Sequence, residues 1–403
     1  MHKSIFTSVF LSILMLGLLS TFVISRNIPN PPMFVTSTIW ALFITFLTFM
    51  IYRTGKVARY RSVFFILYAF CFVYVFISHL VETRGSMALT DEIIARKEVP
   101  LCPIAIPQLI LPLFIKKILI FPTKLFGGPY GGFYPIFFMW LVSVISLGKG
   151  WCSWACFYGG ITEGFSKVLP KEKLPTQNID PKLRYLSFYV LSIVVIWALC
   201  VMSPVYCIWV CPLKMVTEYK EITTPTAYIQ VIIFITLGMA LLITLPILTK
   251  KRVYCGLFCP LGAMQSIVGL INPYRVKIDK TKCTNCKMCA KVCPVFAITD
   301  KAFESCKVSI MCARCGKCMD VCKKKAINYW LLGIPFSTDD RVFTLKLTEI
   351  TSWKRRLLVM PLRFFEEILD ARTLFVFGGI LFGAIISGTF VPETMVRIFN
   401  LFR

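Results

Sequence analysis

Two cysteine runs carry the densest chemistry in this 403-residue chain. In CTNCKMCAKVCP the spacing is Cys283-x2-Cys286-x2-Cys289-x3-Cys293-Pro294, and in CARCGKCMDVCK it is Cys312-x2-Cys315-x2-Cys318-x3-Cys322-Lys323. Three thiolates at two-residue intervals can wrap three irons of one cubane, and the fourth, three residues on, reaches a neighbouring cubane. The spacing predicts two [4Fe-4S] clusters: one on Cys283, Cys286, Cys289 and Cys322, the other on Cys312, Cys315, Cys318 and Cys293. The alternative is a pair of structural zinc sites, which rarely need third and fourth cysteines at these intervals. Cys306, between the runs, fits neither scheme and reads as a bystander thiol.

Three further pairs share one spacing: WCSWACFYGG (Cys152, Cys156), YCIWVCPLK (Cys207, Cys211) and YCGLFCPLGA (Cys255, Cys259). An aromatic residue precedes each pair, and each lies at the end of a long apolar run. If these segments are helical, an i, i+4 spacing turns both sulfurs of a pair to one face. The first and third pairs also share a glycine three positions past the second cysteine (Gly159, Gly262) and basic residues ahead of the first (Lys149; Lys250, Lys251, Arg252), which reads as an internal repeat. Two such halves can bring four thiolates together for an iron or an iron-sulfur centre in the membrane region; the bland alternative is small, polarizable packing at helix ends. Counting spans puts Cys207 and Cys211 on the outer side as a candidate redox pair, along with Cys102. Cys71 and Cys200, alone within spans, read as packing residues.

The elements that must position these thiols follow from composition. With 57% hydrophobic residues, 16% charged and a mean hydropathy of +0.73, the chain is far more apolar than a soluble domain. Runs long enough to cross the bilayer occupy Ser4–Ser25, Met33–Tyr52, Ser62–Val81, Leu125–Gly148, Tyr185–Leu213, the apolar part of 221–249, and Thr373–Pro392. The first reads as an uncleaved anchor that turns back through Pro29, Pro31 and Pro32. Segment 82–124, with Pro100, Pro103, Pro107 and Pro112, suits a broken interfacial or re-entrant helix. The formal charge of +25 collects in loops 53–61, 149–184 and 250–372, so the positive-inside rule puts these in the cytoplasm. Nucleic-acid binding is disfavoured, because no soluble basic domain with exposed aromatics stands out. The fold class expected is an α-helical polytopic membrane protein of about 6–7 spans with a cytoplasmic two-[4Fe-4S] ferredoxin-like α+β insert.

Five regions result: an N-terminal membrane region (1–134), a membrane core with the cysteine pairs (135–275), the two-cluster insert (276–328), an amphipathic connector (329–372), and a last span with its tail (373–403). Gly379 and Gly383 in that span have the small-xxx-small spacing that supports helix packing. The insert carries 12 Lys and Arg against four acidic residues, a face that suits an acidic electron carrier or anionic lipid. Two histidines, His2 and His79, are too few and too far apart for a bis-histidine haem, and His79 with Glu82 reads as a helix-end pair.

Over roughly 50 residues, the two runs and their repeated tails CPVFAI and CKKKAI resemble the bacterial two-cluster ferredoxin fold, with Lys323 where a proline is usual. The combination over residues 135–328 resembles the membrane iron-sulfur proteins related to the quinol-dehydrogenase membrane subunit of periplasmic nitrate reductase systems. Nitrous-oxide reductase regulators and cytochrome oxidase accessory iron-sulfur proteins belong to the same broad group. Phe157 stands where that group usually has proline after the second cysteine. The resemblance implies electron transfer between the quinone pool and iron-sulfur or haem partner subunits, in the inner membrane of a prokaryote. An assembly factor that reduces a metal or a thiol, using Cys207 and Cys211, is the alternative of a different class.

Overall fold

The computed structural model describes residues 3–83, 106–117, 133–176, 181–202, 204–216, 224–331, 364 and 367–402. Cys102, Glu82 with its contacts to His79, and most of the amphipathic connector lie outside the described residues or side chains.

Among the described residues, six helices are long and apolar enough to cross a membrane: α1 (Ile5–Asn27), α2 (Pro31–Thr54), α3 (Val57–Thr83, its apolar window ending at Val75), α7 (Lys182–Val201), α8 (Pro225–Thr249) and α13 (Ala371–Leu401). Shorter helices are α4 (Ile106–Lys116), α5 (Phe133–Leu147), α6 (Phe157–Phe165) and α9 (Pro260–Val268). Of the run expected at Leu125–Gly148, residues 133–148 are described, and α5 occupies Phe133–Leu147.

The bundle exposes large apolar side chains outward and buries small hydroxyl residues among its apolar core. Ile5, Phe6 and Ile13 of α1 and Tyr189, Ile193 and Ile196 of α7 are exposed, whereas Thr7, Ser8, Ser12, Thr36, Ser37 and Ser62 are buried. Small hydroxyl residues let helices approach while their donors bond to the preceding turn, as Ser12 Oγ does to the Ser8 carbonyl at 2.8 Å. Local signals set the ends of α2: Asn30 accepts from the Met33 N–H, Pro31 opens the helix, and Gly55, at φ 72°, closes it in the left-handed region. Central α13 is held by Trp40 Nε1 to Ser387 Oγ (3.0 Å) and by the Tyr52 hydroxyl to the Thr373 carbonyl (3.0 Å). Gly379 and Gly383 lie against Trp154; a Cβ at Gly383 would fall 2.4 Å from the Trp154 carbonyl oxygen. Helix α4 is tied to the end of α7 by Lys116 Nζ to the Leu199 carbonyl (3.0 Å), yet Gln108, near its start, is fully buried and accepts from the Tyr206 N–H (3.1 Å). It runs from the rim into the bundle interior.

The cysteine-rich unit is closed by β1 (Tyr274–Ile278) and β2 (Ile327–Leu331), antiparallel from Tyr274↔Leu331 to Ile278↔Ile327. Between them lie α10 (Met288–Val292), α11 (Asp300–Ser305) and α12 (Lys317–Val321). The two runs repeat in backbone as well as sequence. Left-handed φ angles fall at Asn285, Lys287 and Phe296 in the first and at Arg314, Gly316 and Lys325 in the second. Cys322, followed by Lys323, keeps the extended backbone of Cys293, which is followed by proline.

Buried charges dock this unit on the bundle. Glu163 of α6 has no exposure and receives Arg61 Nη2 of α3 at 2.6 and 2.8 Å, with Arg252 and Lys317 of the unit each at 3.8 Å. The Asp320 carboxylate accepts from the Val57 and Ala58 N–H groups at 3.2 and 2.7 Å, where the α3 N-terminus favours negative charge. Arg314 donates to the Leu147 carbonyl (2.6 Å) and Asn272 Oδ1 (2.7 Å), and Lys251 donates to the Cys293 carbonyl (3.0 Å). Burial alone would raise the Glu163 pKa, but Arg61, Lys317 and Arg252 outweigh it and hold the carboxyl well below its ordinary value.

Replacing Glu163 by alanine leaves its buried cations uncompensated and is expected to cost about 3–5 kcal/mol. Thermal unfolding of the detergent-solubilised protein checks this, and Glu393→Ala, which removes a half-exposed i,i+4 pair, should shift the midpoint little. Since the folded carboxyl titrates below the unfolded one, Glu163's contribution is complete above the unfolded pKa of about 4.3 and declines as pH falls through the folded value. The Glu163→Ala protein should therefore lose less stability than the wild type on acidification.

Candidate functional site

Cys293, Cys312, Cys315 and Cys318 line one cavity of about 340 Å³, together with Val276 and Tyr329. Cys318 feels Cys312, Cys315, Cys293 and Cys289 electrostatically, and Cys289 feels Cys322 and Cys283. Cys293 thus lies with Cys312, Cys315 and Cys318 around one cavity, Cys289 lies near Cys322 and Cys283, and Cys286 is exposed. Burial is the main cause that pushes Cys312 up to about 12, Cys289 up to about 11 and Cys318 well above its ordinary value, and neighbouring sulfurs add to it. Such thiols stay protonated unless a metal supplies positive charge, so loading releases protons. Among the described residues, no three His, Cys, Asp or Glu side chains converge closely enough to hold a single metal ion. A tetrahedral zinc needs that convergence, whereas a cubane takes one thiolate per iron around a wider body, and the donor sets fit the cubane. Backbone N–H groups support the two shared cysteines alike: Ala297 donates to Cys293 Sγ and Ala326 to Cys322 Sγ, both at 3.3 Å.

The membrane-end pairs do not sit on continuous helices. The chain widens before each second cysteine: the Cys156 N–H bonds the Trp151 carbonyl (3.1 Å) and the Cys259 N–H bonds the Tyr254 carbonyl (2.9 Å), each five residues back. Cys156, Cys211 and Cys259 are then extended, and Cys156 and Cys259 cap the next helix. This replaces the i, i+4 face expected from spacing. Gly159 and Gly262 explain the shared tail, since α6 and α9 fold back over the carbonyl of the first cysteine; a Cβ there would lie 2.1 Å from the Cys152 oxygen and 3.2 Å from the Cys255 oxygen. Cys152, Cys156, Cys255 and Cys259 are all buried, and Cys156 feels the other three electrostatically.

Cys207 and Cys211 lie elsewhere than the span count suggests. Instead of standing a full span from Cys255, segment 204–216 turns back into the bundle. The Tyr206 and Tyr254 hydroxyls are 2.7 Å apart, the Tyr158 hydroxyl is 3.4 Å from Cys211 Sγ, and Gln108 Nε2 is 3.5 Å from Cys207 Sγ. The Tyr158 and Tyr254 rings lie 5.2 Å apart. One buried tyrosine layer therefore separates this pair from the other four membrane thiols. Tyr206 and Tyr254, each just ahead of a cysteine pair, were the sequence signal for it; Tyr158 and Gln108 had none.

Two buried cations fill the space between the ferredoxin and membrane thiols. Lys149 faces Cys152, Cys259, Cys255 and Cys312, while Arg252 faces Glu163, Cys315, Cys255 and Cys152. Arg252 also donates to the Cys152 carbonyl (3.0 Å) and Ser153 Oγ (2.8 Å), and its own N–H bonds the Pro294 carbonyl (2.8 Å). Burial lowers the Lys149 pKa from its ordinary value and the thiols around it oppose that shift; positive charge at this place favours the more negative, reduced state of a neighbouring centre. Lys149→Met is expected to lower the midpoint potential of the centre on Cys293, Cys312, Cys315 and Cys318 in an EPR-monitored redox titration, with exposed Lys301→Met as the unchanged control.

Family models described as "4Fe-4S binding domain" match residues 276–299 and, in three segments, residues 132–176, 185–220 and 231–278. Each of the three segments holds one membrane-end pair. The chain is 30% identical to uncharacterized protein MJ0750 of Methanocaldococcus jannaschii over 47% of its own length and 75% of the relative's. It is 26% identical to ferredoxin-type protein NapH of Haemophilus influenzae, over 40% of this chain and 73% of that one. With the putative electron transport protein YccM of Escherichia coli it shares 24% over 56% of this chain and 61% of that one. No solved structure matches the chain. These relatives carry the thiol arrangement to a single conclusion: the chain belongs to the NapH-like family of 4Fe-4S ferredoxin-type membrane proteins.

Proposed function

We propose that the chain passes electrons between quinol and a redox partner through the thiol sites of its ferredoxin unit, as the quinol-dehydrogenase-like subunit of an oxidoreductase complex in a prokaryotic inner membrane. One observation carries this reading: Arg252 joins the two thiol regions, its side chain bonding the Cys152 carbonyl (3.0 Å) and its backbone N–H the carbonyl of Pro294, next to Cys293 (2.8 Å). Two [4Fe-4S] clusters, held by the eight cysteines of the unit, supply one-electron exchange when bound. Around them, Lys149 and Arg252 hold positive charge where reduction adds negative charge. Trp154, fully buried, donates to the Arg314 carbonyl (3.2 Å) and helps keep water from the junction.

Cys152, Cys156, Cys255 and Cys259 are assigned a further iron-sulfur centre rather than a single iron, which would need the close convergence the described thiols lack. Four buried thiols around a cation layer are a fitting donor set, and these segments match a 4Fe-4S binding model. Cytoplasmic placement of the ferredoxin unit is supported by the basic α2–α3 turn, with Arg53, Lys56 and Arg59, which meets Asp320 at the same end of the bundle. Partners would be iron-sulfur or haem subunits, and the basic face of the unit suits an acidic carrier. A second reading, in which the protein reduces a metal or thiol during maturation of another enzyme, draws on Cys207 and Cys211, placed one tyrosine layer from the membrane quartet.

Metal-replete protein in lipid nanodiscs should give a low-potential EPR signal with dithionite and should also be reduced by a quinol analogue. Absence of the dithionite signal would contradict the electron-transfer reading. Cys207→Ser with Cys211→Ser should leave cluster reduction intact if that pair serves only maturation, and should abolish reduction of an added disulfide or metal substrate.

A further inference from the structure

A second, partly open pocket adjoins the cluster cavity and shares Val276, Cys312 and Arg314 with it. It lies where the membrane core becomes the ferredoxin unit, between the end of α9 and β1, and it is amphipathic. Lys149, Ser266, Ser309 and Arg275 contribute polar atoms, and Leu270 and Ile310 contribute an apolar edge. The Lys149 ammonium is buried and makes one hydrogen bond among the described residues, to Ser266 Oγ at 2.8 Å. Three donors belong to an ammonium, so two are left for a ligand. Ser309 Oγ accepts from the Met311 N–H (3.3 Å) and keeps its own proton to donate. Outside the edge, Ile267, Leu270, Ile271 and Ile310 are about half exposed, an apolar track beside the spans.

We propose that this cavity is the quinol site, with the two-oxygen headgroup taken up by Lys149 and Ser309 and the isoprenoid tail laid along Leu270 and Ile310. The proposal rests on the quinol reading above and adds where the headgroup sits. An amphipathic pocket with few polar groups suits a planar headgroup carrying a long apolar tail, and Cys312 in its wall places the headgroup against a ligand of the second cluster. Oxidation breaks the two O–H bonds of the quinol and forms two C=O bonds. The two electrons released would be accepted one each by clusters held on the cysteines of the unit, with Cys312 the thiol nearest the headgroup, and both protons leave to water at the mouth beside half-buried Ser309. The cations Lys149, Arg275 and Arg314 favour the anionic forms through which the headgroup loses its protons.

Photolabelling tests the site on the full-length, metal-replete protein in nanodiscs, with an azido-substituted quinone and peptide mapping. Label is expected in peptides spanning 265–276 and 308–314, competed by unlabelled quinone. Ile310→Trp, at an exposed edge residue that folding does not depend on, should cut labelling and quinol-driven cluster reduction about tenfold, the size of one good contact, while dithionite reduction is unchanged. Ser309→Ala, which removes the hydroxyl proposed to donate to the headgroup, should lower labelling and quinol-driven reduction in the same direction, with dithionite reduction unchanged. Label elsewhere, with both variants still reduced by quinol at the wild-type rate, would overturn the site and leave the electron-transfer reading standing. Wild-type clusters that dithionite reduces and quinol does not would reject that reading, and the site with it.

Discussion

Glu163 is a carboxylate without solvent contact, and it faces Arg61, Arg252 and Lys317 from three different parts of the chain. Separating any of them leaves a buried charge without its counter-charge, which is among the costliest changes a folded interior can suffer. The end of α3, helix α6, the approach to the third cysteine pair and the ferredoxin unit are thereby held in fixed relation. Arg252 extends the constraint, because the same guanidinium that faces Glu163 also bonds the Cys152 carbonyl. The carboxylate that docks the unit so also orients the first membrane pair.

From that fixed junction the thiols fall into an order. The set with Cys283, Cys286, Cys289 and Cys322 lies toward the exposed side of the unit, the set with Cys293, Cys312, Cys315 and Cys318 lies beneath it, and Lys149 and Arg252 come next. The quartet at 152, 156, 255 and 259 follows, and the tyrosine layer joins it to Cys207 and Cys211. Cations between anionic thiolate groups ease the repulsion that crowding would otherwise impose in a medium of low dielectric. The cation layer serves stability and electron transfer through the same charges.

The parts of this order that were legible in sequence are those whose ligands are neighbours along the chain. Both ferredoxin runs announce themselves within a dozen residues, and the repeat of positive φ at Asn285 and Arg314 follows from that repeat of sequence. The glycines at 159 and 262 marked an internal repeat before their reason was visible. Glu163 and Arg61 were not legible, being 102 residues apart and each ordinary in its local setting. The expectation of i, i+4 faces failed because a wide turn ends each helix at its second cysteine. The closeness of Cys207 and Cys211 to the other membrane thiols was not legible, because a chain that turns back inside the bundle has the same apolar composition as one that crosses it.

The claim on which the rest depends is that the membrane thiols continue the path begun by the ferredoxin unit, and the most direct measurement is iron and acid-labile sulfide per chain. Two cubanes account for about eight irons. The arrangement predicts more than that in the wild type, with a fall to about eight when Cys152, Cys156, Cys255 and Cys259 are replaced by serine and the ferredoxin EPR signals persist. About eight in both proteins would contradict it.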